Sequence, residues 1–159
     1  LFFFFFNKSY TDNQSIYVVV DGEEDNIVDL VLCYSQVLPI AVMLWDIANK
    51  QHKCEFSDTI VVEQPEVHLH PSMQADMAKL FLNALKLSKK KNNSIRLIIE
   101  THSPIIVNRL GKMMRTGELE SKELSVFLFN KEKGISSIQT TSYGSDGRIK
   151  KWPIGFLDS

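Results

Sequence analysis

Apolar and polar positions alternate in blocks that predict a chain of short strands and longer helices. Residues 15–29, "SIYVVVDGEEDNIVD", place β-branched and aromatic residues around Asp21-Gly22, a pair that favours tight turns, so a hairpin is predicted there. In residues 35–49 the apolar positions Val37, Ile40, Ala41, Leu44, Ile47 and Ala48 recur at helical spacing. Ser35 is the expected start of this helix, because Pro39 is tolerated best in a first turn. Residues 59–62 are a short, mostly apolar β-rich run, the pattern of a strand covered on both faces. Pro71 then opens a long helix with a stripe of Met73, Met77, Leu80, Phe81, Ala84 and Leu87. Residues 94–100, "SIRLIIE", predict a second buried strand, followed by "THSP" and a helix to about Met114. "LSVFLFN" and "ISSIQTTSY" predict a closing hairpin around residues 131–134, before a polar tail that ends "GRIKKWPIGFLD".

Strands that alternate with helices of this length predict an α/β fold with parallel central strands flanked by helices and with β-hairpins towards the termini. The 159 residues suffice for one domain with a real core, and neither an internal repeat nor a long linker divides them. With 18 basic and 19 acidic side chains, whole-chain charge gives no reason to expect nucleic acid or an anionic membrane as partner, although a local basic patch is compatible with it. Lys86, Lys89, Lys90 and Lys91 form such a run, and at a helix C-terminus they are explained by the dipole they oppose. Cys33 and Cys54 are too few for a disulfide framework and read as small buried hydrophobes, which fits a reducing, cytoplasmic setting. The opening "LFFFFFN" is far shorter than the roughly 20 residues that span a bilayer, so no membrane association is expected. It reads as a buried strand or the cut edge of a larger protein, and the absence of an initiator Met favours the second.

The chemistry concentrates where the predicted strands end. In open α/β sheets ligands bind beyond the carboxyl ends of the strands, and "TIVVEQPEVHLHP" and "IIETHSP" both sit there. If the two strands are neighbours, Glu63, Gln64, Glu66 and His102 converge. One carboxylate such as Glu63 suffices for a magnesium ion that keeps its waters and binds substrate phosphates. A histidine such as His102, presented from the adjacent strand, can donate to a terminal phosphate oxygen as charge develops. His68 and His70 would share a face in an extended strand, and with Glu66 or His102 they could suit a zinc-dependent hydrolase. The turn implied by Pro71 and the lack of a nearby cysteine count against that reading.

"TIVVEQPEVHLHP" resembles the Walker B and D-loop region of ABC-type ATPases, and "IIETHSPIIVNRL" resembles their switch-histidine segment. "YSQVLPI" is similar to a variant of their signature segment, and "DGRIKKWPIGFLD" to a short C-terminal domain containing Trp-Pro. From about Val18 onward the chain thus resembles bacterial AAA/ABC-type ATPases related to SMC and overcoming-lysogenization-defect proteins. The resemblance implies ATP and Mg²⁺ as cofactors. It assigns Glu63 to the Walker B acid that holds magnesium through water, and His102 to the γ-phosphate switch. Gln64 falls where many relatives carry a catalytic glutamate; an amide orients water but takes no proton from it, which makes Glu66 the nearest alternative base. His70 falls in the loop that faces a second subunit, and Ser35 with Gln36 in the segment that reaches the other subunit's nucleotide.

Two departures shape the expectation. No GxxxxGK[ST] occurs, so the backbone cradle for the β- and γ-phosphates is absent from these residues. Val31 to Tyr34, "VLCY", stand where the family has glycines before its Ser-Gln pair, which crowds the approach of phosphate, although Ser35 could still bind it at a helix N-terminus. The chain is therefore expected to be the C-terminal lobe of such an ATPase, in one domain over residues 1–159. Residues 1–34 would supply N-terminal strands, 35–116 the signature helix, Walker B and switch-histidine core, and 117–159 a hairpin and tail. Expected partners are an N-terminal half carrying the cradle, in the same polypeptide or another chain, a second copy in a homodimer, and an effector protein or nucleic acid. The alternative is a catalytically inactive ATPase-like module that dimerises or regulates a partner.

Overall fold

The computed structural model describes residues 3–7, 15–20, 23–26, 32–49 and 58–150, with side chains from residue 36 onward. Three strands open the chain: β1 (Phe3–Asn7), β2 (Ser15–Val20) and β3 (Glu23–Asn26). They pair antiparallel in the order β1-β2-β3, so the opening phenylalanines form a strand. Val20 lies opposite Glu23, which leaves the two residues Asp21 and Gly22 to connect the predicted hairpin; their conformation lies outside the described residues, as do Cys54 and the tail from residue 151.

Helix α1 spans Leu32–Asn49 and therefore begins three residues before Ser35. Leu32, Cys33 and Tyr34 lack the backbone freedom of glycine, and the helix propagates back through them. Ser35 closes the first turn rather than starting it, and Pro39 lies inside the helix. A proline there removes a hydrogen bond to the Ser35 carbonyl and costs about 3 kcal/mol. Packing offsets it: Leu44 and Ala48 are fully buried, and Val37, Ile40, Met43 and Ile47 pack against the same core. Full burial of a single leucine is worth about 1.5–3 kcal/mol, so a stripe of this size outweighs one interior proline.

Strand β4 (Asp58–Glu63) leads through a turn to helix α2 (Pro71–Lys90), strand β5 (Ile95–Glu100) and helix α3 (Pro104–Arg115). β4 and β5 pair in parallel, as the strand-helix-strand order predicts. Ile60 and Val62, opposite Leu97 and Ile99, face inward onto Leu44, Leu69, Met77, Phe81 and Ala84 of one core. Helix α2 also buries a second face, where Ala78 and Leu82 meet Ile106 and Met113 of α3 and Leu119 beyond it. The expectation that both strands are covered on both faces does not hold. Thr59, Val61 and Glu63, opposite Arg96, Ile98 and Glu100, point outward, with Val61 58% and Ile98 50% exposed. The apolar runs read as doubly covered because Val61 and Ile98 interrupt the alternation that a one-sided sheet normally shows.

A short 3₁₀ turn (Ser121–Glu123) precedes the closing hairpin of β6 (Val126–Glu132) and β7 (Ile135–Thr141). The chain then folds back on itself through a bridge between Tyr143 and Ile149. Burial pushes the Tyr143 phenol well above the usual tyrosine range, so it stays protonated and donates to the Val107 carbonyl of α3 at 2.8 Å. At this contact two glycine backbones meet: a Cβ on Gly111 would overlap the Gly147 carbonyl and lie 2.9 Å from the Tyr143 ring. Gly111→Ala should therefore detach residues 143–150 from α3. Limited trypsin digestion checks this: cleavage after Arg148 should accelerate at least about tenfold, the factor that corresponds to roughly 1.4 kcal/mol, and an unchanged rate would show that the glycine contact does not hold the segment.

Candidate functional site at the strand ends

Parallel pairing brings the two informative motifs together. Glu63 and Glu100 are lateral partners at the carboxyl ends of β4 and β5, both exposed on the outward face. The Gln64 N–H donates to the Glu100 carbonyl at 2.9 Å and so extends the ladder by one bond. Immediately afterwards the backbone turns sharply, with Gln64 at φ 44° and His68 at φ 60°, in the left-handed region that side-chain-bearing residues seldom adopt. This loop doubles the chain back into α2. Pro65 and Leu69 are buried beneath it, and the side chains of Gln64 and His68 face solvent.

The loop is fastened to the segment after β5. One oxygen of Glu66 accepts from the Thr101 hydroxyl at 2.8 Å, and the other accepts from the His102 backbone N–H at 2.7 Å. The Thr101 oxygen in turn accepts from the Ser103 N–H at 3.0 Å. Ser103 is the N-cap of α3: it is buried, and its hydroxyl accepts from the Ile106 N–H at 3.1 Å and donates to Gln74 Oε1 of α2 at 2.6 Å. The Gln74 amide then donates to the Leu69 carbonyl at 3.0 Å. Side chains of the β4–α2 loop, of α2 and of the β5–α3 loop thus tie the two turns at the strand ends to one another.

The His102 imidazole faces outward, with Nε2 3.9 Å from a carboxylate oxygen of Glu100. Glu63, Glu100 and His102 consequently occupy one exposed end of the parallel pair, with Gln64 beside them. Such a set suits a hard divalent ion that takes one or two carboxylates and completes its shell with water and phosphate oxygens. Among the described residues no group of three or more His, Cys, Asp or Glu side chains is gathered to hold a metal ion of any kind, so a zinc site built from protein ligands is not formed and a hard ion here would take most of its shell from water and phosphate. His70 caps α2, with Nδ1 2.9 Å from the Ser72 hydroxyl and accepting from the Ser72 N–H at 3.4 Å. Gln36 is half-buried on α1, and among the described residues no hydrogen bond joins it to the strand ends. Ser35 lies on the same helix, and its side chain lies outside the description.

Glu100, Thr101, Ser103 and Gln74 are the participants that motif reading alone passes over. A signal for Glu100 was present: both strands are six residues long and both end in glutamate, so aligning "DTIVVE" with "IRLIIE" gives the observed register. The Ser103 cap was also legible as a serine before Pro104. Because Ser103 both caps α3 and satisfies Gln74, Ser103→Ala should lower stability by about 1–3 kcal/mol, measured from the urea midpoint at constant slope. A change under about 0.5 kcal/mol would show that water substitutes for the cap.

The sequence model of the family described as AAA ATPase domain matches residues 3–107. The matched stretch includes both strand ends and stops near the start of α3, ahead of the closing hairpin. No curated protein matches the chain.

Proposed function

Because the chain belongs to the AAA ATPase domain family, we propose that it is the C-terminal part of an ATP-binding and ATP-hydrolysing ABC/AAA-type ATPase, of the SMC- and overcoming-lysogenization-defect-related kind, which works once a half bearing the phosphate cradle completes it. The observation that carries this reading is the lateral pairing of Glu63 with Glu100, with His102 next to them at the same sheet end. Magnesium, when bound with ATP, would neutralise phosphate charge. Glu63 would hold it through water, with Glu100 within reach of the same shell. Gln64, exposed beside Glu63, would orient the attacking water, and His102 would donate to the terminal phosphate as its charge develops. His70, Ser35 and Gln36 are assigned to the face towards a second copy.

The uncovered sheet face supports the need for completion. A parallel pair normally has both faces covered, and here Val61 and Ile98 stand in water. An N-terminal half, from the same polypeptide or another chain, would supply both the cradle and that cover. Closure of two copies on ATP and their opening after hydrolysis would then drive an effector protein or a nucleic-acid transaction.

A second reading, a catalytically inactive ATPase-like module, is favoured by one specific observation. Both oxygens of Glu66, the nearest alternative base once the resemblance sets Gln64 where many relatives carry a glutamate, are already engaged by Thr101 and His102. ATP turnover by the chain together with its cradle-bearing half separates the two. The ATPase reading expects magnesium-dependent hydrolysis that falls about 10²–10³-fold in Glu63→Gln and in His102→Ala. Turnover indifferent to both substitutions would reject the site, and no turnover in the unaltered protein would favour the inactive module.

A further inference from the structure

Glu66 makes an unusual pair of contacts for a side chain at the edge of a candidate catalytic site. Its two oxygens reach the β5–α3 loop immediately after the end of β5, where they accept from the Thr101 hydroxyl at 2.8 Å and the His102 backbone N–H at 2.7 Å. The N–H···O contact at 2.7 Å is shorter than is usual for a backbone donor, and the O–H···O contact at 2.8 Å has the ordinary length for a hydroxyl donor. The Thr101 hydroxyl has its direction fixed, since a carboxylate only accepts: its proton goes to Glu66, while a lone pair of the same oxygen accepts from the Ser103 N–H at 3.0 Å. Glu66 and Thr101 are half-buried, whereas the His102 imidazole is 68% exposed. The backbone of His102 is clamped while its ring projects freely.

We propose that Glu66 is the positioning residue of His102: it holds the His102 backbone so that the imidazole stands at the end of the β4–β5 pair, and it does not act as the base. This rests on the ATPase reading above for what His102 does, but the clamp itself is a separate and separately measurable claim. The contact also explains why two left-handed residues are tolerated at Gln64 and His68, since the loop that contains them is tied down at its centre. A carboxylate at residue 66 offers a separate oxygen to each donor; an amide in the same place sets its NH₂ group against one of the two donors.

The test uses the full chain labelled with ¹⁵N, in the forms Glu66→Gln, Glu66→Ala, Thr101→Val and Thr101→Ser. Amide hydrogen exchange at His102 should rise about 10–100-fold in Glu66→Ala, the range expected for losing a hydrogen bond to a charged group. It should rise less in Thr101→Val and return close to the original rate in Thr101→Ser, which keeps the hydroxyl. With the cradle-bearing half present, Glu66→Gln should lower kcat by about tenfold, leave the KM for ATP within about twofold, and leave the shape of the pH–rate profile unchanged. Unchanged exchange at His102 in Glu66→Ala, or in Thr101→Val should the first variant fail to fold, overturns the proposal. So does loss of the acidic limb of the pH–rate profile in Glu66→Gln, which would mark Glu66 as the base. Absence of ATP turnover in the unaltered protein overturns the ATPase reading, while the exchange rates still decide whether Glu66 holds His102.

Discussion

The parallel register of β4 and β5 is the constraint on which the site depends. Every residue pair from Asp58–Ile95 to Glu63–Glu100 is fixed by one ladder, and a slip of one residue would move each outward side chain to the buried face. What prevents the slip is the inward row: Ile60 and Val62 against Leu97 and Ile99, pressed onto α1 and α2 by Leu44, Met77 and Phe81. The same packing that excludes water from the core therefore places two carboxylates side by side at the sheet end. Folding energy and site geometry come from the same contacts.

Beyond the strands, hydrogen bonds join the burial of Pro65 and Leu69 in ordering the loops. Glu66, Thr101, Ser103 and Gln74 form a continuous chain of donors and acceptors that links the β4–α2 loop, the β5–α3 loop and the first turns of both helices. Helix starts are where backbone N–H groups lack partners, and here His70 and Ser103 supply them. The β4–α2 and β5–α3 loops are thus fastened to one another and to the first turn of α2.

Much of this was legible in the sequence, for physical reasons specific to each element. Helix α2 announced itself through Pro71 and a stripe that includes Met77, Phe81 and Ala84; the hairpin of β6 and β7 through β-rich runs around residues 131–134; the parallel pairing through alternation of strands and helices. The start of α1 was misplaced because Pro39 argues locally for a first turn, whereas packing by Leu44 and Ala48 decides globally. The one-sided cover of β4 and β5 was invisible because Val61 and Ile98 are apolar although they face outward. The engagement of Glu66 could not be read either, since it joins residues 35 and 36 positions apart and depends on the register that only the fold supplies.

The central claim is that one end of the β4–β5 pair receives a metal-bound triphosphate. Its most direct test replaces magnesium by Mn²⁺ and follows paramagnetic broadening of backbone amide signals in the chain joined to its cradle-bearing half, with ATP present. The account predicts strong broadening confined to Glu63, Gln64 and residues 100–103, and none when ATP is withheld. Broadening centred elsewhere, or its absence at these residues while Mn²⁺ and ATP are bound, would contradict it.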